Sequence, residues 1–407
     1  MKYDFAVIGA NGMQGKIVSR DLLESGYSVL LCAKDDFGLD GLLEHKKSDF
    51  ALTNLDEPDK TKRVLKKSGA KVIVNCAIAD FNLLVTEMCL ELGLNYVDLG
   101  SWESMIYSQL ALNDKFKEKN ITAIIGAGST PGITNVMLRH LKPDFDFIHT
   151  VHVGFAWNSN IPEFVPPFSV DAIAYEFTTK AKVLENGKFV ERNPRECPFQ
   201  YEYKGVGKQT TWYTDHMEYF TFYEYLKDMG IKNIAVCSSF PDHSREVVLN
   251  LIKLGFTKYS KPGQNQKIKI NGTGIDPLDF TEEMLRRIPV PEGYKEKENL
   301  WLKVWGTKNG QEKFVEMDAL AETLPGWEDA TCNIDTGMPV SIMAQMIFGG
   351  LITKAGIFAP EFVVPPKPFF AELAKRQIRI YKNGRKINGF AAADSPASQK
   401  ILAFRTA

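Results

Sequence analysis

Six short apolar runs alternate with helical segments over residues 1–130, and this alternation constrains the fold more than any other feature. The segments between the runs, such as QGKIVSRDLLESG, carry apolar residues at helical spacing and end in glycine. Near-continuous apolar strands alternating with helices are typical of a parallel sheet covered on both faces. We therefore predict a doubly wound α/β domain. Its predicted strands are residues 4–9, 28–33, 50–53, 71–77, 96–100 and 122–128.

The loop VIGANGMQG, at residues 7–15, lies between the first predicted strand and the first predicted helix. Gly12 and Gly15 occupy the second and third glycine positions of the dinucleotide fingerprint G-x-G-x-x-G, while Ala10 replaces the first. Gly9 can make the turn off the strand, Gly12 lets the backbone approach a pyrophosphate, and Gly15 lets the helix pack closely. Because the helix N-terminus adds N–H donors, the loop is predicted to bind a cofactor. The alternative is a purely structural turn.

The end of the second predicted strand bears on the choice between NAD and NADP. NAD enzymes usually place an acid there for the ribose 2′-hydroxyl, whereas NADP enzymes prefer a cation for the 2′-phosphate. Ala33 takes the strand-end position and Lys34 follows it, which favours NADP. Asp35 comes next and keeps NAD open, and Lys34 can also be read as a solvated loop residue.

From about residue 131 the strands alternate apolar and polar residues over part of their length, as at residues 149–156, 233–240 and 300–319. Such alternation is typical of a mainly antiparallel sheet with one solvated face. The last of these stretches contains Asn309-Gly310, which predicts a hairpin turn. A second, α+β domain is therefore expected beside the parallel one.

The chain is predicted to divide into three parts. Residues 1–130 form the dinucleotide-binding domain, which a helix near 335–352 is expected to complete. Residues 131–334 form a substrate and dimerisation domain. Residues 353–407 supply a C-terminal connection and an amphipathic helix.

Candidates for substrate binding and proton transfer lie in both predicted domains. Ligands of doubly wound sheets bind beyond the carboxyl ends of the strands. The turn GAGSTPGITN lies at such an end and offers backbone donors and two hydroxyl groups. The alternative is a simple strand-to-helix turn. In TDHMEYF, His216 and Glu218 share a face if the segment is extended, and histidine exchanges protons near neutrality. Arg245 can grip a carboxylate with two hydrogen bonds. The alternatives are that His216 is a structural histidine and that Arg245 belongs to a surface ion pair.

Five stretches together resemble the saccharopine dehydrogenase-like oxidoreductases, which include saccharopine reductase, carboxynorspermidine dehydrogenase and lysine 6-dehydrogenase. They are VIGANGMQG, VIVNCAIADFNLLVTEMCLELGLNYVDLG, IIGAGSTPGITNVM, TDHMEYFTF and GIFAPEFVVPPKPFFAELAKRQI. The resemblance implies an NAD(P)-dependent oxidoreductase that transfers a hydride at a CH–NH group, or its imine, of an amino-acid-like substrate. Many relatives have Cys or Asp in the Gly-x-x-Pro-Gly turn, where this chain has Ser129 and Thr130.

The resemblance also implies residue roles. The pyrophosphate would be held by Gly9, Ala10, Asn11, Gly12, Met13 and Gly15. The nicotinamide side would be lined by Cys76, Ala77, Asp98 and Gly100. The substrate would be bordered by Ser129, Thr130, Pro131 and Gly132, and His216 and Glu218 match a pattern of the family's substrate domain. From the residues themselves we predict Arg245 as a further substrate contact, and His216 or Asp98 as the group that handles the amine proton.

Composition narrows the partners and the compartment. Lys plus Arg (49) nearly balances Asp plus Glu (50), which gives no support for a nucleic-acid partner. None of the six cysteines falls in C-x-x-C spacing, so no metal site or redox pair is expected. Several lie inside apolar runs, where free cysteine behaves as a small hydrophobic residue, which indicates a reducing compartment. Neither a signal peptide nor a membrane span is predicted, so we expect a cytoplasmic protein. A homodimer through the antiparallel sheet is also expected, and the rival function is a nucleotide-binding regulator without catalysis.

Overall fold

The computed structural model of the chain describes residues 2–257 and 267–389, so the last part of the predicted C-terminal segment lies outside it. Its first sheet contains β1 (Phe5–Ile8), β2 (Val29–Ala33), β3 (Ser48–Leu52), β4 (Val72–Asn75), β5 (Asn95–Asp98) and β6 (Thr122–Ile124). The connecting helices are α1 (Met13–Glu24), α2 (Asp40–Leu43), α3 (Pro58–Ser68), α4 (Asn82–Leu92), α5 (Glu103–Leu110) and α6 (Asn113–Glu118).

These six strands pair in parallel in the order β3-β2-β1-β4-β5-β6, which confirms the predicted doubly wound sheet. All four residues of β1 and of β4 are buried, as expected for strands covered on both faces. The strand order reverses between β1 and β4. Ligands of open α/β sheets bind in the crevice at such a reversal.

The second sheet follows along the chain. Its region contains β7 (Phe147–Ser159), β8 (Ala181–Glu185), β9 (Lys188–Arg192), β10 (Gln200–Tyr203), β11 (Gly207–Tyr213), β12 (Asn233–Ser239), β13 (Ile268–Ile270), β14 (Thr273–Ile275), β15 (Glu296–Lys308) and β16 (Gln311–Glu322). Its helices are α7 (Ile133–Leu141), α8 (Val170–Thr178), α9 (Glu218–Leu226), α10 (Asp242–Leu254) and α11 (Pro277–Arg286). Strands β13 and β14 form a separate hairpin.

The second sheet is mainly antiparallel, as predicted, with one parallel pair, β7 with β12. The predicted hairpin is confirmed, because β15 and β16 pair from Lys308 and Gln311 around Asn309-Gly310. Both turn residues have positive φ, 52° and 74°, which matches the backbone twist of the flanking strands.

The C-terminal part of the chain contributes strands to both sheets. It contains α12 (Ile334–Phe348), β17 (Gly356–Phe358), α13 (Pro360–Val363), α14 (Pro366–Lys375), β18 (Arg379–Lys382) and β19 (Arg385–Lys386). Helix α12 packs against α1, β17 extends the parallel sheet beside β6, and β18 pairs with β16. The sequence prediction of a connection and one helix missed these strands, because runs of two to four residues show no periodicity.

Short 3₁₀ helices complete the described secondary structure, at Ala79–Phe81, Lys142–Asp144, Pro194–Glu196, Lys227–Met229 and Glu328–Asn333. One core of buried side chains extends from the parallel sheet across the inner face of the second sheet. Among the helices described, none has the length and apolar character needed to cross a bilayer.

Candidate active site

A cavity of about 1080 Å³ is lined by the carboxyl ends of the parallel strands on one side and by the second sheet and its helices on the other. It lies at the strand-order reversal, where a ligand is expected. The parallel-sheet side contributes Asn11, Gly12, Met13, Gln14, Lys16, Asp35, Phe37, Cys76, Ala77, Ile78, Leu99, Ser129 and Thr130.

The glycine loop enters the cavity between β1 and α1. Gly9 has φ 72° and so makes the turn that the fingerprint normally assigns to the first glycine. A Cβ on Gly15 would lie 2.0 Å from the Gly9 carbonyl oxygen, so only glycine lets α1 start this close to the strand. Ala10 is fully buried, and its methyl group packs in the core. The loop therefore keeps the required shape without a glycine at position 10.

Lys34, the predicted NADP determinant, does not line the cavity. Its ammonium pairs with Asp56 at 3.0 Å on the exposed surface. Lys16, on α1, lines the cavity instead. Its ammonium extends to the β2–α2 loop, where it would lie 2.6 Å from a Cβ on Gly38. Sequence reasoning missed Lys16 because a lysine in the first turns of an amphipathic helix resembles a solvated residue.

Asp35 lines the same end of the cavity. Its carboxylate accepts hydrogen bonds from the Asn11 side chain at 2.9 Å and from the Phe37 backbone N–H at 3.1 Å. The glycine loop and the loop after β2 are thereby joined. An acidic group and a cation therefore both lie close to where an adenosine ribose would bind in this fold.

Cys76 and Ala77, predicted for the nicotinamide side, line the cavity. Burial raises the pKa of the Cys76 thiol to about 12, with a further contribution from the nearby Asp98 carboxylate. The thiol is therefore protonated near neutrality. The protonated thiol forms part of the cavity wall and does not act as a nucleophile, because the nucleophilic form of cysteine is the thiolate.

Asp98 and Gly100 do not line the cavity, and Asp98 is fully buried. Burial raises the pKa of Asp98, an effect that its hydrogen bonds oppose. Its donors are Gly100 N and Gly126 N at 2.9 Å, Tyr96 Oη at 2.9 Å and Gln109 Nε2 at 2.8 Å. This network ties the loop after β5 to the loop after β6. The geometry favours a positioning role for Asp98 over proton transfer.

In the Gly-rich turn after β6, Ser129 and Thr130 line the cavity, whereas Pro131 and Gly132 lie behind them. Thr336, at the start of α12, donates to the Ser129 hydroxyl at 3.0 Å. The Gly132 N–H donates to Asn135 Oδ1 at 2.8 Å, which fixes the turn against α7. The turn is held from both sides, with its two hydroxyl residues toward the ligand space.

His216 lines the cavity from the second sheet, between β11 and α9. Its Nε2 lies 3.7 Å from Glu176 Oε1, on α8, and its Nδ1 lies 3.9 Å from Glu218 Oε2. Burial alone would lower the pKa of His216, but the carboxylates of Glu176, Glu218 and Asp215 together raise it to about 9. Burial raises the pKa of Glu218 to about 7, partly opposed by His216. The imidazole is thus an imidazolium near neutrality.

Two candidates from the second domain lie outside the cavity lining. Glu218 is fully buried behind His216, where it can act only through the imidazole. Arg245, on α10, pairs at 2.7 Å with Asp242, which lies three residues earlier on the same helix. The ion-pair alternative raised from the sequence therefore describes Arg245 better than a carboxylate grip.

Three further carboxylates line the cavity. Glu296 and Glu298 project from one face at the start of β15, since alternate strand residues share a face. Asp335 joins them from the first turn of α12. Burial raises the pKa values of all three, that of Asp335 to about 8. In the described parts of the chain, no group has the arrangement of ligands that a metal ion requires.

Sequence reasoning missed Glu176, Glu296, Glu298 and Asp335. Glu176 lies in YEFTTK, and Glu296 and Glu298 lie in YKEKENLW, stretches that resemble ordinary amphipathic or surface segments. Asp335 resembles an ordinary residue at the start of a helix. Only the tertiary fold brings four carboxylates from α8, β15 and α12 to one cavity.

Comparison with known proteins agrees with this architecture. Residues 5–124 match the model of the saccharopine dehydrogenase NADP binding domain, and residues 128–378 match that of the saccharopine dehydrogenase C-terminal domain. The chain is 25% identical over 392 residues to carboxyaminopropylagmatine dehydrogenase of Synechocystis sp., covering 91% of this chain and 94% of that protein. It is 23% identical to carboxynorspermidine synthase of Vibrio alginolyticus, covering 80% of each.

Two solved structures share the fold. Saccharopine dehydrogenase (L-Glu forming) from Saccharomyces cerevisiae has a TM-score of 0.72 at 12% identity, covering 95% of this chain and 100% of that one. Homospermidine synthase from Legionella pneumophila, in complex with NAD, has a TM-score of 0.67 at 14% identity, covering 98% and 97%. Because the two family models together span both sheets, the chain belongs to the saccharopine dehydrogenase family of NAD(P)-dependent oxidoreductases, which act on amines and imines.

Proposed function

We propose that the cavity between the two sheets is where this oxidoreductase acts on the CH–NH group, or the imine, of an amino-acid-like substrate. One observation carries the proposal: the glycine loop and the His216–Glu176 pair line the same cavity. The first supplies a dinucleotide-binding turn and the second a proton-exchanging pair. A redox reaction at a carbon–nitrogen bond needs both.

The glycine loop and the first turn of α1 would hold the pyrophosphate through backbone N–H groups. Asn11, Gly12 and Met13 line the cavity there, while Cys76 and Ala77 form the adjoining wall. When bound, the nicotinamide dinucleotide accepts or supplies the hydride. Ser129 and Thr130 would meet the substrate through their hydroxyls at the strand-end turn, beside the nicotinamide wall.

His216 and Glu176 would exchange the proton of the substrate nitrogen. His216 is cationic near neutrality and Glu176 is 7% exposed, with no hydrogen-bond partner for its Oε2 among the described residues. In the reducing direction the imidazolium supplies the proton that the amine gains. In the oxidising direction the imidazole takes up the proton only in its neutral form, which is favoured as the pH rises toward about 9.

NADP is the preferred cofactor in this proposal. Lys16 already extends along the cavity wall toward the loop after β2. Both side chains of the Lys34–Asp56 pair are exposed, so the pair adds little to the stability of the fold. A 2′-phosphate can therefore replace Asp56 as the partner of Lys34. Asp35 supports the alternative, NAD, since a carboxylate accepts hydrogen bonds from ribose hydroxyls.

The names of the relatives include carboxylated polyamine and agmatine derivatives as well as saccharopine, and we propose a substrate of this general kind, a secondary amine with an amino-acid arm. A cytoplasmic location is supported by six cysteines that form no disulfide. The predicted domain limits and the homodimer through the second sheet also stay proposals.

The test uses the purified full-length protein with NADPH and NADH. Nucleotide binding is followed by nicotinamide fluorescence, and turnover by absorbance at the nicotinamide band with saccharopine, lysine and carboxylated polyamines. We expect binding and turnover with at least one secondary amine. Binding without turnover across the panel would favour a regulator, and failure to bind either nucleotide would contradict the cofactor assignment.

A further inference from the structure

A chain of hydrogen bonds connects the Gly-rich turn after β6 with a buried carboxyl group. Ser129, in that turn, lines the cavity. The Thr336 hydroxyl is 3.0 Å from Ser129 Oγ and 3.3 Å from Asp335 Oδ1. Asp335 is 1% exposed, yet it lines the cavity as well. Because a hydroxyl group can both donate and accept a hydrogen bond, this chain can pass a proton along its length.

The chain ends in a pair of carboxyl groups. Those of Asp335 and Glu298, which lies on β15, are within hydrogen-bonding reach of each other. Burial raises the pKa of Asp335 to about 8, and the Glu296 carboxylate contributes to the rise. Burial also raises the pKa of Glu298, and the neighbouring carboxylates, including that of Glu176, add to the effect. Two carboxyl groups that share a site in this way hold a proton between them near neutrality.

The proposed reaction moves two protons, whereas one imidazole exchanges only one. Oxidation of a secondary ammonium to a neutral imine removes a hydride from carbon and two protons from nitrogen, and reduction returns all three. The dinucleotide accounts for the hydride, and the His216–Glu176 pair accounts for one proton. The other proton needs a second group that can donate and accept it at the substrate nitrogen.

We propose that Ser129, Thr336 and Asp335 form a proton relay that serves the second proton. In the reducing direction Ser129 gives its hydroxyl proton to the substrate nitrogen. Thr336 then reprotonates Ser129, and the Asp335 carboxyl group reprotonates Thr336. One O–H bond on Asp335 is thereby exchanged for one N–H bond on the substrate, and the oxidising direction reverses each transfer. The inference rests on the proposed function, since it adds the second proton path to the same reaction.

The fold holds the relay in position. A Cβ on Gly128 would lie 3.3 Å from Thr336 Cγ2, so the Thr336 methyl group packs on the backbone of the Gly-rich turn. This contact fixes the rotation of the side chain and keeps its hydroxyl directed at Ser129. Gln14, on α1, donates at 3.1 Å to the Asn333 side chain just before α12, which ties the start of that helix to the glycine loop.

The relay recovers its proton at the carboxyl pair. Glu298 is half-buried and lines the cavity, so solvent can reach the pair between turnovers. The alternative source of the second proton is a water molecule that exchanges directly with the substrate nitrogen. That source needs no hydroxyl group at position 336, and this difference separates the two.

The test compares two conservative variants of Thr336. Thr336→Val keeps the branched shape without the hydroxyl, whereas Thr336→Ser keeps the hydroxyl without the methyl group. Steady-state rates are measured with the same amines, saccharopine, lysine and carboxylated polyamines. We expect Thr336→Val to lower kcat by about 10²-fold or more, the lower end for a proton-transfer group, with little change in KM. Thr336→Ser should recover most of that loss, and the exposed control Thr353→Val should match wild type.

Ser129→Ala removes the neighbouring hydroxyl and should lower kcat as far as Thr336→Val does. If both hydroxyls belong to one path, the double variant loses no more than either single variant. Melting temperature and NADPH binding show whether each variant folds, and Ser129→Ala decides the question if Thr336→Val does not. A Thr336→Ser variant no faster than Thr336→Val, or additive losses in the double variant, would overturn the relay.

Failure of the relay and failure of the proposed function give different results. A wild-type protein that oxidises none of the amines contradicts the proposed function, and the relay with it. If wild type oxidises an amine and Thr336→Val is as active as Thr353→Val, only the relay is overturned, and the second proton comes directly from water.

Discussion

His216 Nε2 lies 3.7 Å from Glu176 Oε1, and this pair makes the imidazole a cation inside the cavity. Burial lowers the pKa of His216, but the neighbouring carboxylates outweigh burial and raise it to about 9. Because the folded-state pKa lies above the ordinary value of 6.5, the pairing stabilises the fold fully below about pH 6.5. That contribution is lost as the pH rises through about 9.

Glu176→Gln should therefore lower the pKa of His216. We expect the alkaline limb of kcat/KM for imine reduction to move down by about 1 to 3 pH units, the range for loss of a nearby opposite charge. The pH–rate profile measures this directly. Glu191→Gln, at an exposed ion pair with Lys180 on the same sheet, is the control and should leave the limb in place. An unmoved limb in Glu176→Gln would exclude this pair as the group that titrates.

Lys34→Ala tests the cofactor proposal. Removing this cation should weaken NADPH binding by about tenfold or less, because an exposed charge contributes on the order of 1 kcal/mol, and should leave NADH binding unchanged. Lys16→Ala should add to the loss. Asp35→Asn should act oppositely, weakening NADH more than NADPH. Fluorescence titration of both nucleotides measures all three, and equal losses for NADH and NADPH in Lys34→Ala would argue against a 2′-phosphate contact.

Asp98 provides a test of positioning against proton transfer. In Asp98→Asn the remaining oxygen can still accept the two backbone N–H groups of Gly100 and Gly126. We expect a lower free energy of unfolding but a kcat within about tenfold of wild type, whereas loss of an acid–base group reduces rates by about 10² to 10⁴. Steady-state kinetics and urea unfolding are the measurements. A stable variant with the larger loss in kcat would restore Asp98 as the proton-transfer residue.

The parallel sheet could be predicted from sequence because its strands are buried on both faces. A run such as Phe5–Ile8 needs apolar residues throughout, and the flanking helices end in glycine, so local pattern and fold agree. The glycine loop was predictable for the same reason: its residues are adjacent in sequence, and Gly15 meets Gly9 across only six positions.

The cluster of Glu296, Glu298 and Asp335 and the Glu176–His216 pair could not be predicted, because their members are far apart in sequence. Glu298 and Asp335 come from a strand and a helix, and each alone resembles a solvated acid at the end of an element. Arg245 illustrates the converse. Its residue type suits carboxylate binding, but the helix that carries it turns the side chain toward Asp242. The chemical type of a residue therefore predicts its role less well than its position in the fold, because the fold decides which residues come into contact.

A buried ion pair between Arg376 and Asp21 joins the C-terminal helix α14 to α1, the helix that starts at the glycine loop. The guanidinium binds both carboxylate oxygens, at 2.6 and 2.8 Å, and both residues are under 10% exposed. Arg376→Ala leaves the buried Asp21 carboxyl without its guanidinium partner, so the free energy of unfolding should fall by about 3–5 kcal/mol. Arg287→Ala, at the exposed pair with Glu283, should lower it by about 0–1 kcal/mol. Urea unfolding compares the two, and equal losses would mean that the buried pair does not hold α14 against α1.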